Sequence, residues 1–304
     1  MASLTPLQAV RTQDPSLPPA DMGVLDERSS HRCGHHTNVY YGQWRGQPAR
    51  FKEYRLIHPG IDTLIDEALF RRHYQIPSHV PMMGVYQTSP ALGSRIYLVD
   101  AQRNYTTLKS YLELSPNADP AYFRMGLHPT HCLEIVADLH PKGLVLWTIR
   151  LQSFVVDSSG TLLLSAFGMM RVEDPCAAFC HVSSPCLDAM MCMAPELLQS
   201  LRSDGHAGIT KATDVYAVGC FAYKLFLGGS PFAERYRGYP THMAQFQLIN
   251  DIVDGVERPK MPSVETYPLH GLTNEIWSIL ERCLSNNPSG RPLVPKIIAC
   301  ITLA

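Results

Sequence analysis

The chain has 304 residues, 45% of them hydrophobic and 17% charged, and its 26 Lys and Arg against 27 Asp and Glu leave a formal net charge of −1. That length can bury a full core without covalent staples, and the low charge gives more of the surface to neutral side chains. With no strong positive field there is nothing to hold nucleic acid or an anionic membrane, so both are excluded as partners.

No run approaches the roughly 18 apolar residues that a membrane-spanning helix needs, and the beginning of the chain lacks the apolar segment of a signal peptide. The chain therefore reads as soluble, with its compartment open. Pro6, Pro15, Pro18 and Pro19 among polar residues make 1–28 an extended arm. Residues 39–44 and 49–52 are rich in β-branched and aromatic side chains around Arg45-Gly46-Gln47-Pro48, a hairpin signal. Ile61, Leu64, Ile65, Ala68 and Leu69 follow helical spacing over 61–74, and residues 95–99 read as a further strand. From about residue 121 the pattern is mainly helical, with Cys132, Ile135, Val136 and Leu139 forming one stripe. Strands first and helices later predict an α+β fold, with a small β-rich lobe ahead of a larger helical one.

There are nine cysteines, and Cys176, Cys180, Cys186 and Cys192 fall close together. Disulfides there and free thiols packed as small hydrophobes both fit this spacing. The spacing does not fit a zinc site, which uses paired CxxC or a completing pair of histidines, so no metal is expected.

Leu139-His140-Pro141-Lys142-Gly143-Leu144-Val145, then Phe154-Val155-Val156-Asp157, then Leu162-Leu163-Leu164-Ser165-Ala166-Phe167-Gly168 resembles a protein kinase catalytic loop running into its magnesium-binding loop. Met193-Ala194-Pro195-Glu196, Thr213-Asp214-Val215 and Asn287-Pro288-Ser289-Gly290-Arg291 follow in the family's order. The resemblance implies a bilobal kinase-like fold, with an N-lobe over 29–101 and a C-lobe over 102–304. It also implies three structural residues: Asp214, accepting backbone hydrogen bonds from the catalytic loop, and Glu196 paired with Arg291.

In the same register the residues of phosphoryl transfer are replaced. Thr148 stands at the base position, Ser153 at the metal-binding Asn and Ala166 at the metal-binding Asp. A neutral hydroxyl is no general base and a methyl group offers magnesium nothing. Asp157 is read as part of the turn Ser158-Ser159-Gly160 rather than as a substitute ligand. Lys52 and Glu67 correspond to the family's lysine–glutamate pair and read as vestigial. Arg50 would obstruct the adenine slot, and Asp100 would guard the back of the pocket with a negative charge. Of three glycines in the phosphate loop only Gly34 remains, and side chains at Arg32 or Thr37 oppose close approach of phosphates. His35 and His36 read as part of a solvated loop.

These replacements predict a catalytically inactive pseudokinase: not an enzyme, without a cofactor, binding ATP poorly, and acting on protein partners as a scaffold or allosteric regulator. An unorthodox nucleotide-dependent transferase on the same fold is the alternative, and a secreted structural component a third reading. The loop text is also similar to the rhoptry kinases and pseudokinases secreted by apicomplexan parasites. That likeness implies a parasitophorous vacuole or cyst wall as destination, with a cytoplasmic location as the other possibility.

Overall fold

The structure, a computed structural model, describes residues 23–33, 37–54, 78–87, 96–102, 105–114, 130–146, 148–165, 171–173, 187–203, 208–227, 229–260 and 272–303. The chain divides into two compact units, the first taking residues 1–105 with 163–168 and the second 106–162 with 169–304.

The first unit is built on an antiparallel sheet of five strands in the order β1-β2-β3-β5-β4. The strands are β1 (Gly23–Cys33), β2 (Thr37–Trp44), β3 (Gln47–Tyr54), β4 (Met82–Gln87) and β5 (Ile96–Ala101). β1 starts inside the segment expected to be an extended arm. The β2–β3 hairpin turns on two residues only, Arg45 and Gly46, with φ of 50° and 74°. Two successive positive φ values give the turn whose twist matches its strands, and glycine makes the second of them inexpensive. Pro48, expected in the connection, lies in β3 opposite Gln43, and its carbonyl accepts a hydrogen bond from the Gln102 amide at 3.1 Å.

Alternation along β3 sorts the side chains by face. Ala49 and Phe51 are fully buried with Tyr97 and Val99 of β5, beside the buried Tyr40 and Trp44 of β2 and the partly buried Tyr86 of β4. Phe51 meets Tyr86 and Tyr97 edge-on at 5.7 and 6.4 Å between ring centroids, the preferred geometry for aromatic pairs. Arg50 and Lys52 take the opposite face, across from Asp100 and Leu98. The helix expected over 61–74 lies outside the described residues.

The second unit is mainly helical. A strand pair, β6 (Thr106–Thr107) with β8 (Phe154–Val156), lies beside α1 (Leu108–Leu114), and β7 (Leu144–Val145) pairs with β10 (Arg171–Val172). α2 (Thr130–Leu139) buries Cys132, Ile135, Val136 and Leu139, the stripe read from the sequence, and Leu133 with them. It ends where Pro141 cannot continue it and Gly143 turns the chain with φ of 69°. β9 (Leu162–Leu164) follows β8, and Leu164, which already belongs to the first unit, bonds through its backbone to Ser78 and Val80 within that unit.

The remaining helices are α3 (Leu187–Met190), α4 (Pro195–Ser203), α5 (Lys211–Leu227), α6 (Thr241–Val253), α7 (Asn274–Cys283) and α8 (Val294–Leu303). α5 is buried around most of its circumference, as expected of a helix apolar on all sides. One arginine ties its surroundings together. Arg291 donates to both Glu196 oxygens at 2.6 and 2.8 Å, to the Ala212 carbonyl at 2.8 Å and to the Ser285 carbonyl at 2.9 Å, while its guanidinium lies 5.2 Å from the Tyr216 ring centre. A planar fork with five donors can satisfy that many acceptors in fixed directions, which lysine could not do.

The described thiols do not form disulfides. Cys132, Cys192, Cys220 and Cys283 are buried, Cys300 is partly so, and all five are free. Burial pushes Cys283 up to about 12 and raises Cys132 and Cys220 as well, so these sulfurs pack as apolar groups and stay protonated. Of the four clustered cysteines, for which disulfides and free thiols both fitted, Cys192 is thus a buried free thiol, and Cys176, Cys180 and Cys186 lie outside the described residues. Among the described residues no helix is long and apolar enough to cross a membrane.

Gly219 lets α5 and the end of α7 approach closely. A Cβ at this position would sit 2.9 Å from Cys283 Cβ and 3.1 Å from Leu284 Cδ2. Gly219→Ala is therefore expected to destabilise the chain by about 1–3 kcal/mol through overpacking, despite alanine's better helix propensity. Urea denaturation checks this, and an unchanged or higher midpoint would contradict the packing described.

Candidate functional site

The site is best defined in the second unit, on the loop between β7 and β8. β7 is fixed by its pairing with β10, and the Glu173 amide donates to the Gly143 carbonyl at 2.7 Å. Asp214, in the first turn of α5, holds the next residue. Both of its carboxylate oxygens lie 2.9 Å from the Leu146 amide, which donates to them. His140 Nε2 lies 3.1 Å from Oδ2 of the same carboxylate, completing a contact between the end of α2, the loop and α5. Asp214 has no exposed surface, so these donors replace the water that an isolated carboxylate would require.

Beyond Leu146 the loop is closed by its own hydrogen bonds. The Thr148 amide donates to the Leu146 carbonyl, the Ser153 amide to the Arg150 carbonyl, and the Arg150 amide to Ser153 Oγ at 3.1 Å. Ser153 therefore serves to hold the turn of residues 151–153. Thr148 is 1% exposed, and its Oγ1 finds no hydrogen-bond partner among the described residues. Leaving a buried hydroxyl unsatisfied costs on the order of 1–3 kcal/mol.

Asp157 is a turn residue. Its Oδ1 accepts from the amides of Ser159 and Thr161, each at 2.9 Å, and from Ser159 Oγ at 2.6 Å, and Gly160 completes the turn with φ of 83°. This is side-chain support of a turn backbone, and it occupies Oδ1 fully.

Sequence reasoning overlooked the loop cation. Arg150, two residues after Thr148, lies 3.8 Å from Asp188 of α3, and Lys224 of α5 donates to that aspartate at 2.8 Å. Burial raises the Asp188 carboxyl, but Lys224, Arg150 and Ser230 outweigh it and hold the group below the usual aspartate range. A basic residue inside a loop otherwise made of neutral side chains was the available signal.

In the first unit, Arg50 and Asp100 turn out to be partners. Arg50 Nη2 lies 2.9 Å from Asp100 Oδ2, Asp100 has no exposed surface, and the guanidinium sits 5.8 Å from the Tyr105 ring centre. Two charges expected to oppose nucleotide separately are thus largely neutralised by each other. Lys52 shares their face of the sheet and is partly buried. Gly34, His35, His36, Glu67 and Ala166 lie outside the described residues, as do the side chains of Arg32 and Thr37. Among the described residues no group of three or more His, Cys, Asp or Glu could hold a metal ion.

Residues 51–300 match the protein kinase domain. The chain is 26% identical to mitogen-activated protein kinase kinase kinase 5 of Arabidopsis thaliana over 55% of its own length and 21% of that protein's. It is 24% identical to serine/threonine-protein kinase fray2 of Dictyostelium discoideum over 72% of its own length and 20% of that protein's. Against the dual specificity protein kinase Ttk of Danio rerio, identity is 23%, covering 64% of this chain and 18% of that one. The chain spans about a fifth of the length of these relatives.

The matches overturn the expectation that the chain is not an enzyme, and they give no support to the expectation that ATP binds poorly. The physical reason is one of magnitude: a general base contributes about 10²–10⁴-fold, and the larger share of phosphoryl transfer comes from positioning and electrostatics. A threonine at the base position therefore does not by itself exclude catalysis, and the readings of Ser153 and Ala166 as replaced metal ligands do not outweigh the family match. The matches reach the protein kinase domain and go no finer, so they carry neither the pseudokinase nor the rhoptry resemblance. With the kinase motifs in order and most of its length matched, the chain belongs to the protein kinase domain family.

Proposed function

We propose that the chain is an unorthodox nucleotide-dependent phosphotransferase of reduced rate, acting on a hydroxyl of a protein partner. The observation that carries this reading is the loop frame: Asp214 holds the Leu146 amide and His140, so the segment bearing Thr148, Arg150 and Ser153 keeps a fixed backbone although its side chains have changed. In the reaction the acceptor oxygen bonds to the γ-phosphorus, and the bond from that phosphorus to the β–γ bridging oxygen breaks. The nucleoside diphosphate leaves with the electron pair, and the acceptor proton passes to the transferred phosphate or to solvent. Arg150 supplies positive charge to the loop, and Thr148 contributes no base. Magnesium normally keeps several waters and takes one or two carboxylates together with substrate phosphates. The described hydroxyls at Thr148 and Ser153 do not fit that set, and no step is derived through the metal.

A kinase rate of about 1–100 per second reduced by the loss of a base gives on the order of 10⁻⁴ to 1 per second. A second role, as a scaffold or allosteric regulator of that partner, is favoured by the Arg50–Asp100 pair. The Arg50 side chain, held by Asp100 and against Tyr105, puts its bulk in the adenine slot of the family register, which weakens nucleotide binding and favours the protein-bound, nucleotide-free form.

Single-turnover transfer of labelled phosphate at saturating nucleotide is expected to quicken by about 10²-fold or more in Thr148→Asp. An unchanged rate in a folded, nucleotide-bound variant would refute the role assigned to this loop. Thr148→Val, which removes the unpartnered hydroxyl at nearly constant volume, is expected to stabilise the chain by about 1 kcal/mol. Loss of stability on urea denaturation would show that the hydroxyl is paired.

A further inference from the structure

At the far end of the second unit, two arginines line one concavity without an ion-pair partner among the described residues. Arg258 follows α6 and Arg282 lies in the last turn of α7, and with Ser285 they border a cavity of about 310 Å³. The fold brings them together by local contacts. Gly255 turns the chain after α6 with φ of 71° against Asn286, and the Glu257 amide donates to the Asp251 carbonyl at 3.0 Å. The neighbouring carboxylates are engaged elsewhere: Glu257 lies 3.2 Å from Arg235, which also holds Asp251 at 3.1 Å. Glu281 lines the same cavity without forming an ion pair with either arginine.

Arg282 also borders a wider groove of about 590 Å³ between α7 and α8, whose lining includes Ile279, Lys296 and Leu303. Leu303 is 88% exposed. Arg282 is thus common to the cavity that bears Arg258 and to a groove with a partly apolar lining.

We propose that this end of the domain docks a partner protein through a phosphoserine or phosphothreonine. The phosphate sits between Arg258 and Arg282, and a nearby aliphatic side chain lies in the α7–α8 groove. The donor count favours phosphate over carboxylate: a single guanidinium fork satisfies the two oxygens of a carboxylate, whereas two forks offer donors enough for the three acceptor oxygens of a phosphate. The groove supplies what a bare anion site would lack, namely area for the flanking peptide. This site is independent of the transfer reaction, since none of its residues belongs to the loop at Thr148.

The test is fluorescence anisotropy of the whole chain with a labelled peptide pool that holds one phosphoserine and a leucine two residues away, run beside the same pool with serine or glutamate in place of phosphoserine. The phosphorylated pool alone is expected to bind at physiological salt. Arg258→Gln and Arg282→Gln should each weaken it about tenfold or more, Leu303→Gln should weaken it less, and Glu281→Gln should tighten it. All four positions border open space, so the variants fold, as circular dichroism would confirm. Equal binding of the phosphorylated and serine pools would overturn the proposal, and so would arginine variants that bind like the parent. Binding to phosphatidylserine vesicles, lost in the arginine variants while the phosphopeptide pool fails to bind, would overturn it in favour of a membrane.

Discussion

The second unit depends on one buried carboxylate. Taking Asp214 out of water costs several kcal/mol, and only well-aimed donors return that loss. The donors come from two directions, the Leu146 amide and His140, and meeting them fixes where α2 ends and where the loop begins relative to α5. The loop residues can then vary in chemistry without losing their backbone path. The same logic operates at Arg291, where a nearly buried guanidinium meets four acceptor atoms beside the Tyr216 ring.

The reach of each interaction along the chain explains what could be read from the sequence. The hairpin, the α2 stripe and the α+β order were legible because they rest on hydrophobic periodicity and turn residues, which are local. Asp157 was legible as a turn residue because Ser158, Ser159 and Gly160 follow it directly. Pro48 was misplaced into the connection because proline discourages a strand, and the pairing that accommodates it is formed by residues far along the chain. The link between Arg50 and Asp100 was hidden for a similar reason. Its partners are fifty residues apart and become neighbours only through the register of β3 with β5.

Function was the least legible part. A base and two metal ligands read as replaced, at Thr148, Ser153 and Ala166, suggested a chain without catalysis, yet membership of the protein kinase family overturns that inference. Loss of one catalytic group subtracts a factor from the rate, whereas loss of the frame would remove positioning altogether. The sequence displays the first loss openly, and the preserved frame is visible only when Asp214 and Leu146 are seen in contact. The cluster of cysteines left disulfides and free thiols both open, because local density says nothing about burial; Cys192, the one of the four among the described residues, is buried and free.

Amide hydrogen exchange at Leu146, followed by nuclear magnetic resonance in the intact chain, tests this account most directly. An amide clamped by a fully buried carboxylate should exchange only on global unfolding, with protection matching that of the α5 core. Rapid exchange at Leu146 while α5 stays protected would contradict it, because the loop would then lack the fixed backbone on which the proposed chemistry relies.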